Sequence, residues 1–169
     1  MSNNLWKPSQ LAIGGFFPGV EVRDILGQLL RTTWAKNGIT NAGLNNLLDT
    51  YFGAGTWYFG LINNSGFSTL AAADTMSSHS GWAELTTYSQ ATRPQWVPDA
   101  ASGQSITNST LASFTMTGTV AVVGAFVTSN STKGGSTGTL WATGLFNSVQ
   151  NLTSGQILRL PYTLSAAGA

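Results

Sequence analysis

Thr119-Val120-Ala121-Val122-Val123-Gly124-Ala125-Phe126-Val127 is the stretch on which the fold turns. It is almost wholly apolar, rich in β-branched residues and short, with no polar alternation. That pattern predicts a central strand covered on both faces. The segments around it follow the same logic. Residues 56–62 (TWYFGLI) and 82–88 (WAELTTY) have strand composition. Phe114 and Met116 alternate with Ser113, Thr115 and Thr117, and 139–146 (TLWATGLF) adds another strand. Over 156–164, Leu158, Leu160, Tyr162 and Leu164 share one face and Arg159 and Thr163 the other, with Pro161 marking an edge strand. Turn chemistry separates these segments at Asn63 to Gly66, Ser102-Gly103, Asn130 to Gly138 and Ser154-Gly155. Short strands at this spacing predict a mainly β chain, an antiparallel β-sandwich of jelly-roll or Greek-key type.

Upstream the period changes. Residues 1–19 hold Pro8, Pro18 and Gly14-Gly15 among apolar side chains with neither helical nor strand spacing, and are expected to form an extended N-terminal arm that buries itself either on its own domain or on a neighbouring subunit. Val22, Ile25, Leu26, Leu29, Leu30 and Trp34 recur at helical intervals, with Glu21 and Asp24 early, Arg31 and Lys36 late and Gly38 as a stop. They predict a helix over about 21–36. A second helix over about 41–52 has Thr40 as N-cap, Ala42, Leu44, Leu47, Leu48 and Tyr51 on one face, and Gly53 after it. The expected organisation is thus an arm, 1–19, and one β-sandwich domain, 20–169, that begins with two short helices.

Composition narrows the chemistry. Only 8 % of the 169 residues are charged, against about 25 % in an ordinary soluble domain. A surface so poor in charge suits a protein whose faces are covered by neighbours. The net charge of +1, from scattered Lys and Arg, offers no basic field for nucleic acid. Without cysteine there is no disulfide framework or thiolate chemistry. The opening residues lack the layout of a secretory signal, and no apolar run reaches the ~20 residues of a membrane span. The expectation is a chain made in the cytoplasm, without a membrane partner.

Catalytic devices find little material. His79 is the single histidine, and Asp74, His79 and Glu84 at five-residue spacing do not share a helical face as a metal set would require. The expected place of His79 is a loop entering a strand, its ring bonded to backbone. Gly134-Gly135-Ser136-Thr137-Gly138 fits G-x-S-x-G in letters only, because a polar loop precedes it and a strand follows, whereas a nucleophile elbow needs a strand before and a helix after. Asp74 with Glu84 is the one conceivable carboxylate pair for glycoside chemistry. Trp57, Trp82, Trp96 and Trp141 can be read as a sugar-stacking platform or as core and interface residues, the latter being the commoner use of Trp on strands. The expectation is a non-enzyme without cofactor or metal.

Thr75-Met76-Ser77-Ser78-His79-Ser80-Gly81-Trp82-Ala83-Glu84-Leu85-Thr86-Thr87-Tyr88, then Arg93-Pro94, preceded by Trp57-Tyr58-Phe59-Gly60-Leu61-Ile62, resembles small structural proteins of tailed bacteriophages. The shared layout is a helix, x-Y-x-G-L, H-x-G-W-x-E-x-x-x-Y, R-P and a closing apolar strand, over roughly residues 20–165. It marks a structural class and not one protein. The resemblance implies a virion component, foremost a capsid decoration (cement) protein that binds across capsomers and stabilises the head. Its partners would be the major capsid protein and copies of itself, for instance as a trimer. Trp6, Phe16 and Phe17 are the expected anchors on the shell. The other implied roles are a tail or head-fibre component, or a receptor-binding module that holds host glycans.

Overall fold

The computed structural model describes residues 11–168. The chain is mainly β, with strands β1 (Leu11–Ile13), β2 (Gly15–Arg23), β3 (Leu29–Asn37), β4 (Trp57–Asn63), β5 (Glu84–Leu85), β6 (Gln95–Pro98), β7 (Ser105–Thr110), β8 (Ala112–Thr115), β9 (Val120–Thr128), β10 (Leu140–Leu152), β11 (Ile157–Leu160) and β12 (Thr163–Gly168). One short helix, α1 (Asn41–Leu48), runs on into a π-helical turn, Asp49–Gly53.

Seven strands follow the order β1-β12-β7-β6-β4-β9-β10, and β5 adds to β4 as an eighth. The β1–β12 pair is parallel and the others are antiparallel, so the sheet is mixed. The sheet also curls. β7 pairs with β12 through Thr107 and Thr163, and β8 with β11 through Ala112 and Leu160. The two ladders are one long ribbon bent at Leu111 and Pro161, where the proline has no N–H to give a continuing ladder. A single strand over 156–164 is therefore replaced by two strands with different surroundings. The bend brings Ala112, Phe114 and Leu160 against Trp57, Phe59, Leu61 and Val127 of the large sheet in one buried cluster.

The decisive stretch behaves as its composition dictates. β9 lies between β4 and β10. Val122 and Val127 enter the main core on one face, while Val123 and Phe126 meet Ile62, Met76 and Trp82 under the 64–83 loop on the other. Phe126 can lie flat across β4 because residue 60 is glycine; a Cβ there would fall on the ring.

The helix at 41–48 forms where expected. The Thr40 side chain accepts from the Gly43 N–H at 3.2 Å, and Leu44, Leu48 and Phe52 go into the core. The expected helix over 21–36 does not exist. Those residues form the hairpin β2–β3, and residues 15–19 of the expected irregular arm are its first strand. Asp24 closes the turn. Its backbone carbonyl accepts from the Gly27 N–H at 3.0 Å, and its carboxylate accepts from the N–H groups of Leu26 and Gln28 at 2.9 and 2.8 Å. Gly27 sits at φ +84°, which makes this a type I turn followed by a left-handed residue. A bulge at Pro18-Gly19, with Gly19 at φ +64°, and a second register shift between Val22 and Arg23 account for the rest of the irregular spacing.

Candidate interaction surface

The hairpin β2–β3 is an isolated two-stranded ribbon: among the described residues neither strand pairs with any other. Its packing is almost entirely on itself. Beside Glu21, Arg23 and Arg31, it exposes large apolar side chains: Ile25 101 %, Leu26 81 %, Trp34 66 %, Phe16 64 %, Leu30 62 %, Phe17 56 %, Leu29 50 % and Val20 41 %. Turn apices normally carry small polar residues, whereas here two aliphatic side chains stand at the tip.

The register assigns them to both faces. Phe17 pairs with Ala35 and Val20 with Thr33, so Phe17, Val20 and Val22 share one side. Alternation puts Phe16 and Trp34 on the other. A ribbon with a single apolar face lies down on a surface. One with two apolar faces and two unpaired backbone edges has no face of its own to bury and is marginally stable alone. At the turn end Arg23 donates to Glu21 at 2.8 Å and to the Gly27 carbonyl at 2.8 Å.

The structure places Phe16 and Phe17, two of the three expected anchors, at the root of this ribbon, side by side in sequence and on opposite faces. Trp6 lies outside the described residues. Sequence reasoning missed the tip and the body of the ribbon, namely Ile25, Leu26, Leu29, Leu30 and Trp34, because their spacing imitates a helix. The signals that would have found it are Asp24-x-x-Gly27 and Pro18-Gly19.

The chemistry-bearing residues of the H-x-G-W-x-E-x-x-x-Y stretch fasten loops. Trp82 is buried and its indole N–H donates to the Asp74 carboxylate at 2.9 Å, which also accepts from the Ala71 N–H at 2.9 Å. These two bonds, the backbone one foremost, hold the Asp74 carboxyl below the ordinary aspartate range. His79 stacks on Trp82, centroids 3.9 Å apart, and its Nδ1 lies 2.9 Å from the Trp82 carbonyl. A carbonyl only accepts, so Nδ1 carries the proton.

Glu84 is engaged by Arg93, which is fully buried. Nε donates to Oε1 at 2.9 Å and Nη2 to Oε2 at 2.6 Å. The guanidinium also donates to the carbonyls of Asn130 and Gly135 at 2.9 and 2.8 Å, and the Gly134 N–H donates to Glu84 at 2.9 Å. The G-x-S-x-G letters thus lie in the β9–β10 hairpin loop, pinned by this ion pair and followed by a strand. Lys133 Nζ in the same loop donates to the carbonyls of Tyr88 and Gln90 at 2.9 and 2.7 Å, and burial pushes the Tyr88 phenol up. Among the described residues no three of His, Asp and Glu gather as a metal set would.

Trp57, Trp82 and Trp96 are buried, and half-buried Trp141 packs on Phe52 with centroids 4.6 Å apart. They belong to the core, so an open sugar platform built on all four is not what the fold presents. Compared with family models, with curated proteins and with solved structures, the chain matches none.

Proposed function

We propose that this chain is a non-enzymatic structural protein of a virion, a capsid decoration protein that docks across capsomers and stabilises the head. The observation that carries the reading is the ribbon, whose apolar side chains cover both faces and whose edges are unpaired. Exposed apolar area on this scale marks a surface that other protein covers. The low charge of the chain as a whole agrees with a molecule that associates by burial. The phage-like layout between Trp57 and Pro94 supplies the virion setting, with the head surface as location, synthesis in the host cytoplasm, and the major capsid protein and further copies of the chain as partners. Phe16 and Phe17 act as anchors on the shell. Each contact area across a seam must be lost before capsomers part, so binding is itself the activity. A Greek-key or jelly-roll sandwich stays part of this reading through the bend at Leu111 and Pro161, which lays one ribbon of strands over the large sheet.

The test is reconstitution on heads assembled without the protein. Purified chain should co-sediment with them and raise the temperature at which they release DNA, and Phe16→Asp with Phe17→Asp should abolish both effects. Heads that take up no protein, or that open at the same temperature when decorated, would refute the reading. Exposed Trp34 favours one second reading, a fibre or receptor module stacking a host sugar on that ring. Glycan-array binding lost in Trp34→Ala, with no uptake by heads, would support it instead.

A further inference from the structure

The curled sheet stops short of closing. β10 is its last strand, and among the described residues its outer edge is unpaired along Leu140–Leu152. Between β10 and the bend at Pro161 lies a cleft of about 370 Å³. Phe59, Leu145, Phe146, Leu160 and Tyr162 give it apolar walls. Leu145 is exposed at the rim, and Val149 is exposed further along β10. A neutral edge beside an apolar cleft is a template for an incoming strand, here over Ala142–Leu145 and Gln150–Leu152, where β10 keeps regular register with β9. The same chain carries an unpartnered ribbon with an aliphatic tip.

We propose that the β2–β3 ribbon of one copy docks on the β10 edge of a second copy, its apex residues Ile25 and Leu26 filling the cleft between β10 and Pro161. This rests on the reading of the ribbon as a protein-docking element and names its occupant. Three observations select a second copy. The first is complementarity: a projecting aliphatic tip, Ile25 and Leu26, and an apolar cleft, with the Asp24 carboxylate turned back onto the N–H groups of its own turn. The second is area. Ile25, Leu26, Leu29 and Leu30 expose on the order of 600 Å², most of the ~800 Å² that each partner gives to a standard interface. The third concerns the backbone. A lipid interior leaves the edge N–H and C=O groups of a two-stranded ribbon unsatisfied, whereas a strand edge such as β10 pairs them.

Each copy then gives a ribbon and receives one. Such a head-to-tail contact closes into a ring when the rotation allows it. Strands of this length span on the order of 30 Å. That separates the apex, committed to the neighbouring copy, from the root at Phe16 and Phe17, committed to the shell.

Absence of cysteine makes the test clean. Leu26→Cys and Leu145→Cys are introduced together in the full chain, which is oxidised and run without reductant, beside the two single variants. The expected result is a ladder of multimers of the 17.7 kDa chain for the double variant and no more than dimers for the singles. In sedimentation at micromolar concentration the unmodified chain should be a multimer and Ile25→Asp with Leu26→Asp a monomer with the same circular dichroism. A monomeric unmodified chain, a multimer that survives the Asp substitutions, or a cross-link confined within one chain would each overturn the proposal. So would flotation of the unmodified chain with phosphatidylcholine vesicles that the Asp variant does not join. A monomer that still decorates heads would sink this inference and leave the docking function standing; a ring that ignores heads would do the reverse.

Discussion

Arg93 and Glu84 form the most consequential pair of single residues, because Arg93 is fully buried and ties β5 to the loop between β9 and β10. Removing the carboxylate strands a buried cation, so Glu84→Ala should lower stability by about 3–5 kcal/mol in urea titration, and replacing both residues by Met should recover part of that loss. Gly60→Ala places a methyl on the Phe126 ring and should cost about 1–3 kcal/mol in the same measurement. Asp74 sets an acid limit on the 64–83 loop. Its folded pKa is depressed, so its contribution is present above the unfolded value of about 3.9 and is lost as pH falls through the lower folded value. The Trp82 indole N–H should exchange faster with solvent below that range, and at every pH in Asp74→Ala. The motif residues His79, Trp82 and Glu84 were legible as a set in the sequence. The backbone bond of the His79 ring was legible too, whereas the engagement of Glu84 by Arg93 was not, since a buried ion pair and a catalytic pair are spelled with the same letters.

At the scale of elements, legibility followed how much each segment is decided by its own side chains. Segments 119–127 and 56–62 announced β9 and β4 because burial on both faces leaves an almost unbroken apolar run. Helix α1 showed its cap and stripe. The ribbon was misread because a tight turn and two irregularities moved its apolar residues into helical phase, and no burial constrained them. β6 and β7 went unnoticed, their few core residues, Trp96 and Ile106, being set among polar ones. Since the ribbon contributes little to the core, Asp24→Ala with Gly27→Val should disorder it locally, seen as faster amide exchange over 15–37. Thermal melting of the monomeric body should stay within about 0.5 kcal/mol of the parent.

Among the described residues the molecule is a curled, unclosed sheet that ends in the long strand β10, carrying an apolar ribbon that its own body does not cover. Both features are liabilities in an isolated chain, and the proposed assembly pairs one with the other. Association driven by apolar burial and backbone pairing should depend only weakly on salt, because β10 carries no charge and Arg23 and Glu21 of the ribbon pair with each other. Sedimentation from low to molar sodium chloride should give the same multimer, and the melting temperature should rise with protein concentration. The most direct measurement is amide hydrogen exchange across residues 15–37 and 140–152, compared between dilute and concentrated protein. Slow exchange appearing in both segments together at high concentration is the outcome that enclosure of the ribbon requires. Exchange in the ribbon that stays fast at every concentration, and on decorated heads as well, would contradict it.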